Sequence, residues 1–457
     1  MKQVYDGAGN VIPLSETDKT LSLSGVAADS KTVGNQFQEM AGSGRIEPQY
    51  GDVPHVYFTG TLPTSKNDGK KKLRVTYLSR TKTFSEWCTL KVQGASSQTY
   101  PKKNYNTVLF HDSAAKDKDK HNFMGWGRTS KFCLKANWMD HTHARNVINA
   151  RLYGQMCRTR ADYESYPQEF KDSPNCACID GFPVRVWVNG VYHGMYTWNI
   201  AKDDFMSNMD DESDKHAMLI AEQASASGVL FTSTSQIDGT DFTDELHEDS
   251  VPAWVHTSWD AVQNFVINES DANFKANIER YFYLSSLIDR YIFTVVFIYV
   301  GGFAKSQAYY TYDGVKWLSS MYDLDSSWGL RGSTIYGVKP FYPTDLEITP
   351  DNYHLGEGTD GYGATNRLFK RIATLYTAEI KQRYNELRLT VLSEDNILRT
   401  YDEFMEVYAE YLPDDFAPET ADGAYVDIPY KDTNTPENLL GIIHDRLAYT
   451  DGYIANL

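Results

Sequence analysis

Cysteine is scarce in this chain. Cys88, Cys133, Cys157, Cys176 and Cys178 form an odd, widely spaced set, so no disulfide framework is implied and assembly in a reducing cytoplasm is the simplest reading. The Cys176/Cys178 pair has no second matching pair, which leaves a closed four-ligand zinc site without its ligands. Basic residues are short too: 44 Lys and Arg against 61 Asp and Glu give a formal charge of −17. That balance argues against nucleic acid as a general partner, because phosphate contact needs concentrated positive charge. Long apolar runs are also missing. The longest, Tyr291 to Phe303, falls short of the roughly 20 residues that a helical crossing requires, so it reads as a buried helix and no membrane span is expected. The opening residues MKQVYDGAGNVIPL contain no apolar signal core, so export by an ordinary signal peptide is not expected.

What the chain does have is folded-protein composition. A hydrophobic content of 41% and an aromatic content of 14% exclude a disordered chain. Its 457 residues suffice for two or three domains, or for one large α+β body with extensions. Residues 1–44 are polar and small, with a short helix expected over Val26–Met40 and a flexible joint at Ala41–Gly44. Such a helix cannot fold alone, so the segment is expected to attach to a partner or to other copies of the chain. Its stretch SLSGVAADSKTVGNQFQEM is similar to one common in phage tail and fibre proteins.

From Val53 to Asn106 the pattern alternates as strands do. His55–Thr59 and Lys72–Tyr77 are joined by a turn containing Asn67, Asp68 and Gly69, and Trp87–Gln93 follows. The next loop, Gly94–Lys103, holds Ser96, Ser97, Lys102 and Lys103. Backbone N–H groups, serine hydroxyls and a lysine in one loop can cradle phosphate, or form an ordinary basic surface loop. Lys131–Asn137 reads as a strand carrying Lys135. It turns into a helix near His143, with Asp140 placed to cap it. His141 and His143 lack an evident third metal ligand. Asn189 and Gly190 mark the turn of a hairpin spanning Pro183–Tyr196. Beyond Ala201 the pattern becomes helical, over Trp254–Val266, Asn273–Gly301, Asn366–Thr390, Ser393–Tyr411 and Pro436–Ala448, with a long loop at Arg331–Gly363.

The organising stretch is Tyr312–Gly329. It reads as a hairpin turning at Asp313 and Gly314, whose second strand delivers Asp323 and Asp325 to an exposed tip. Residues two apart on a strand share a face, so these carboxylates can converge on one Mg²⁺. Alternatively they cap the following turn.

Together these segments resemble the CotH kinase family of atypical protein kinases, and most closely its phage and prophage branch. The family's glycine loop is similar to Gln93–Ser97 with Pro101, Lys102 and Lys103. Its Leu-Lys-Ala-Asn segment looks like Leu134–Asn137 with Asp140, Arg145 and Asn146. Its hairpin matches Asn189, Gly190, Tyr192, Gly194 and Tyr196. Its metal-binding DxD looks like Asp323 and Asp325 before Trp328 and Gly329.

The resemblance implies a two-lobed, kinase-like α+β fold: an attachment segment over 1–44, a β-rich N-lobe over 45–200 and a mainly helical C-lobe over 201–457. It also implies ATP and Mg²⁺, with Ser96, Ser97, Lys102, Lys103 and Lys135 on the nucleotide and Asp323, Asp325 and Gln307 on the metal. One part departs from the family. The catalytic Asp and metal-holding Asn of its D-x-x-x-x-N element fall here on Gly302 and Gln307, and the glycine-loop arginine falls on Gln93. Glycine accepts no proton, so no catalytic base is expected. The reading that follows is a virion structural protein of tail, baseplate or head fibre, assembled in the host cytoplasm with a degenerate active site. Its expected partners are other virion proteins, further copies of itself (a trimer by the leader's style) and a host-surface receptor. The alternatives are an ATP- and Mg²⁺-dependent Ser/Thr kinase, or a protein that binds nucleotide or moves another group such as AMP.

Overall fold

Apolar residues at every second position make a strand with one buried face, and β1 (His55–Thr59) shows this with Val56 and Phe58 buried. The same alternation buries Phe84, Cys88, Leu90 and Val92 in β3 (Thr83–Gln93). In the computed structural model these strands join β2 (Lys71–Leu78), β4 (Asn104–Phe110), β5 (Lys131–Lys135), β6 (Gly181–Val188) and β7 (Val191–Ile200). The order is β1-β2-β3-β4-β5-β7-β6, and the sheet closes into a barrel. Every pairing is antiparallel except the closing one, where β6 runs parallel to β1 with Val188 beside Phe58. The structure describes residues 53–94, 96–222, 226–247, 249–331, 341–351, 365–415, 417–418, 425–426 and 432–457. The expected attachment segment over 1–44, and most of the expected Arg331–Gly363 loop, lie outside these residues.

Helix α1 (Arg145–Arg158) leaves the barrel after β5 and is buried along most of its length. It packs against α3 (Leu284–Val296), which follows α2 (Ala253–Asn268) and lies on a second sheet. That sheet has the order β9-β8-β10-β11, from β8 (Ala217–Ala221), β9 (Phe242–Asp244), β10 (Gln307–Thr311) and β11 (Trp317–Met321). Helices α4 (Arg367–Leu375), α5 (Thr377–Arg388), α6 (Glu394–Glu406) and α7 (Pro436–Ala455) complete this half. Asp289, wholly buried in α3, bridges Arg160 at 2.7 Å and Arg383 at 2.8 Å, tying the turn just past α1 to α3 and α5.

The expected two-lobed kinase-like fold with a helical C-lobe is overturned. The first half is a closed seven-stranded barrel, and the second half is built on a sheet as well as helices. The closing pair leaves no local trace, because β1 and β6 are more than a hundred residues apart and each alternates as an open-sheet strand would. Strands β8, β10 and β11 are buried at every position. Burial on both faces erases the alternation that separates strand from helix. Two expected helices are also divided. Asn273–Gly301 becomes a short helix over Asp271–Asn277, a 3₁₀ turn and then α3, and Asn366–Thr390 becomes α4 and α5.

Candidate functional site

The β10–β11 hairpin turns where expected, with Asp313 Oδ1 accepting from the N–H groups of Val315 and Lys316 at 2.8 Å. Beyond Met321 the chain reverses at Asp323, whose φ of 56° lies in the left-handed region. Non-glycine residues occupy that region at a cost, so neighbouring contacts must hold it. They do so at Leu324. Its N–H donates to Asn146 Oδ1 at 3.0 Å, and its carbonyl accepts from Asn149 Nδ2 at 3.1 Å. Asp323 and Asp325 therefore flank a buried residue fixed at both backbone polar atoms.

Helix α1 supplies the grip, and its start explains how. The Asp140 carboxylate accepts from the Arg145 N–H at 2.9 Å, from Arg145 Nη1 at 2.5 Å and from the Thr142 hydroxyl at 2.6 Å. It thus satisfies a first-turn donor that the helix itself cannot. Arg145 Nε then donates to the Ser327 carbonyl at 3.2 Å. The Trp328 indole donates to Asn149 Oδ1 at 3.0 Å, and the Tyr401 hydroxyl donates to the same oxygen at 2.5 Å. One helix end thereby holds the hairpin tip from Leu324 to Trp328.

Asp323 is exposed and Asp325 half-buried. Burial, and next the like charge of Asp323, push the Asp325 carboxyl up to about 7, with Lys135 pulling the other way. Burial and the Asp325 charge also raise the Tyr100 phenol, so the loop after β3 comes within electrostatic reach of the acidic tip. The Asp325 carboxyl thus feels the charges of Asp323 and Lys135, and the Tyr100 phenol feels that of Asp325. Asp325 Oδ1 also accepts from the Ser326 N–H at 3.0 Å, so this carboxylate also braces the turn that follows it.

The other loop lysines face elsewhere. Lys103 Nζ donates to the carbonyls of Gln98 at 2.8 Å and Tyr100 at 2.5 Å, bracing the loop from within. Lys102 is wholly buried, paired with Asp415 at 2.9 Å and set 4.8 Å above the Tyr196 ring. The second Asp415 oxygen meets His143 Nε2 at 2.7 Å, and His143 Nδ1 meets Asn137 Nδ2 at 3.1 Å. His141 Nε2 lies 3.3 Å from the Leu412 carbonyl, so the two histidines serve this seam rather than a shared metal. Ser97 Oγ lies 3.4 Å from Asn104 Nδ2. It occupies the space a Cβ on Gly94 would need, 2.0 Å away. Ser96 begins the short 3₁₀ turn Ser96–Thr99.

Residues 90–430 match the family described as CotH kinase protein. The chain belongs to the CotH family. No curated protein matches it.

Within this CotH chain, Gly302 sits in a 3₁₀ turn, Val300–Phe303, just past α3. Its carbonyl accepts from Arg290 Nη2 at 2.5 Å. A Cβ there would lie 2.4 Å from Thr294 Oγ1, 2.5 Å from Cγ2 and 3.0 Å from Cβ. Gln307 is wholly buried. Its amide nitrogen donates to the carbonyls of Val229 at 3.2 Å and Phe303 at 3.3 Å, and its oxygen accepts from the Tyr309 hydroxyl at 2.7 Å.

This geometry suits a hard divalent cation. Two carboxylates on a fixed backbone, one of them reluctant to ionise beside the other, form a donor set that a bound cation relieves. Asp323 and Asp325 would hold it, and bound there it would neutralise phosphate charge. For phosphate itself, Lys102 is taken up by Asp415, whereas the Lys135 charge is felt at Asp325.

Three contributors escaped sequence reading. Asp415 lies in an acidic pair after Pro413 that reads as a plain loop, 313 residues from Lys102. Asn149 sits one helical turn beyond Arg145, a spacing that puts both on one face, and that spacing was the available signal. Tyr100 carried none.

Proposed function

We propose that this CotH protein is a non-transferring scaffold that holds a divalent cation at Asp323 and Asp325, and that it serves as a structural or host-contact component of a phage particle. The observation that carries the first part is the packing around Gly302. Transfer to a hydroxyl needs a group to take its proton. At the position where the family resemblance puts that group, Thr294 fills the space of even a methyl. The Lys102–Asp415 pair supports the same reading, since it withholds a loop lysine from phosphate. The particle role rests on the leader's likeness to tail and fibre proteins and on the phage-type wording of the motifs.

A second reading, an ATP-dependent Ser/Thr kinase, is favoured by the Lys135 charge felt at Asp325. Intact-mass spectrometry after incubation with ATP and Mg²⁺ separates the two. The scaffold reading expects no added phosphate, and phosphate that disappears in Asp323→Ala overturns it. Particles purified on a density gradient test the second part: the protein should band with them, and recovery in the soluble lysate alone refutes a particle role.

A further inference from the structure

A second cluster of ligand-type side chains lies at the other end of the barrel wall. Glu86 is seven positions along β3 from Gln93, about 23 Å from the glycine loop at roughly 3.3 Å per residue. Beside it stand His111, just after β4, and Asp119 and His121, at the end of the loop that follows. His121 Nε2 lies 3.1 Å and 3.2 Å from the two Glu86 oxygens and 3.2 Å from Asp119 Oδ2. His111 Nδ1 lies 3.2 Å from the same Asp119 oxygen. The ligand atoms of Glu86, His111 and Asp119 all fall within 4.8 Å of one another.

Hydrogen bonding alone serves this arrangement poorly. A neutral imidazole carries one proton, on one nitrogen, and His121 Nε2 faces two carboxylates. The side chains of Glu86, Asp119 and His121 are only 13, 10 and 13% exposed, so water does little to relieve the crowding. Lys82 and Arg128 stand at the rim, donating to the carbonyls of Asn122 and Lys120.

A metal ion resolves the conflict. Zinc bonds to His and carboxylate at about 2.0–2.2 Å, which sets neighbouring tetrahedral ligand atoms about 3.3 Å apart. The His121–Glu86, His121–Asp119 and His111–Asp119 contacts match that spacing. The His121 ring is already oriented by stacking on Phe84, with centroids 4.2 Å apart. We propose that Glu86, His111, Asp119 and His121 form a binding site for a divalent transition-metal ion of the zinc class, separate from the acidic hairpin tip. Two imidazoles with two carboxylates favour such an ion over Mg²⁺ or Ca²⁺. Because His111 and Asp119 bracket the charged loop between them, the ion would clip that loop to β3.

Cobalt substitution tests this directly. The full-length protein, stripped with EDTA and dialysed, is titrated with Co²⁺. One equivalent should give the intense visible absorption of four-coordinate cobalt, displaced by one equivalent of Zn²⁺. Glu86→Gln and His121→Ala should each weaken Zn²⁺ binding more than about tenfold, and Asp323→Asn with Asp325→Asn should leave it unchanged. Should His121→Ala fail to fold, His111→Ala serves, since that ring is 56% exposed. Only the pale spectrum of hydrated cobalt, or a signal lost with the Asp323 and Asp325 changes instead, overturns the proposal. Zn²⁺ should also slow tryptic cleavage after Lys116 and Lys118 in the wild type and not in His111→Ala; equal rates refute the clip.

Discussion

Lys102 and Asp415 meet at 2.9 Å with both side chains wholly shut off from solvent. A lysine of the loop after β3 is thereby turned into a clasp between the barrel and the C-terminal segment. The Met195 N–H also donates to Asp415 Oδ1 at 2.7 Å, so β7 joins the same seam.

Breaking this clasp from one side should be severe. Asp415→Ala leaves a buried ammonium and an imidazole without their acceptor, and loss of one partner of a buried pair typically costs about 3–5 kcal/mol. Replacing both, as Lys102→Met with Asp415→Leu, removes the desolvated charges together and should be milder. Urea unfolding of the two single variants and the double variant checks this. A double variant no more stable than the worse single variant would show that the pair is not the unit that matters.

The same pair sets an acid limit. Burial alone would raise the Asp415 carboxyl, but Lys102 and His143 more than offset it and hold it well below the usual carboxylate range. A carboxylate depressed in the folded state stabilises the fold above its unfolded value, about 3.9. That contribution is lost as pH falls from there towards the folded value. Burial also lowers the Lys102 ammonium despite Asp415, but that shift acts on the alkaline side. Thermal unfolding followed from pH 7 down to pH 3 should therefore show a steeper loss below about pH 4 in the wild type than in the double variant. Parallel curves would assign acid sensitivity to other carboxylates.

Restoring an aspartate at Gly302 should fail to restore transfer. Its Cβ would press into Thr294 at 2.4–3.0 Å, and overpacking of this kind costs about 1–3 kcal/mol before any charge is buried. Gly302→Ala should already lower the melting temperature, and Thr294→Ala in the same chain should recover much of the loss. Gly302→Asp should add no phosphate to any substrate by intact-mass spectrometry. Gain of transfer would mean that the neighbourhood gives way, and the scaffold reading would fall.

How much of this was legible beforehand follows from what each feature depends on. The Asp313–Gly314 turn, the strand delivering Asp323 and the hairpin at Asn189 and Gly190 are local, and turn chemistry with period-two patterning reveals them. Barrel closure depends on Phe58 meeting Val188, and nothing near either residue announces it. Strand β8 was hidden by its own burial. At the site, Asp323 and Asp325 are visible as a motif, but the fate of Lys102 is decided by an aspartate from a distant loop. The closure around Gly302 is decided by Thr294, a residue of α3 with no chemical signature of its own.

The last prediction concerns the grip on the hairpin tip. Asn146 Oδ1 accepts from the Leu324 N–H at 3.0 Å, while Asp323 beside it holds a φ of 56°. Asn146→Ala removes the acceptor and leaves a buried N–H without a partner, a loss of about 1–3 kcal/mol. The tip should then relax towards ordinary backbone angles, and the two carboxylates should no longer converge. Supporting groups of this kind typically change metal affinity by about 10–100-fold. Manganese binding followed by electron paramagnetic resonance should weaken by that order in Asn146→Ala, and should vanish in Asp323→Asn with Asp325→Asn. Zn²⁺ binding at Glu86 and His121 should be untouched in both, since that cluster is built from β3 and the loop after β4 and takes no ligand from α1 or the hairpin tip. An Asn146→Ala protein that binds Mn²⁺ as tightly as the wild type would mean that Asn149 alone fixes Leu324, and Asn149→Ala would then have to carry the whole effect.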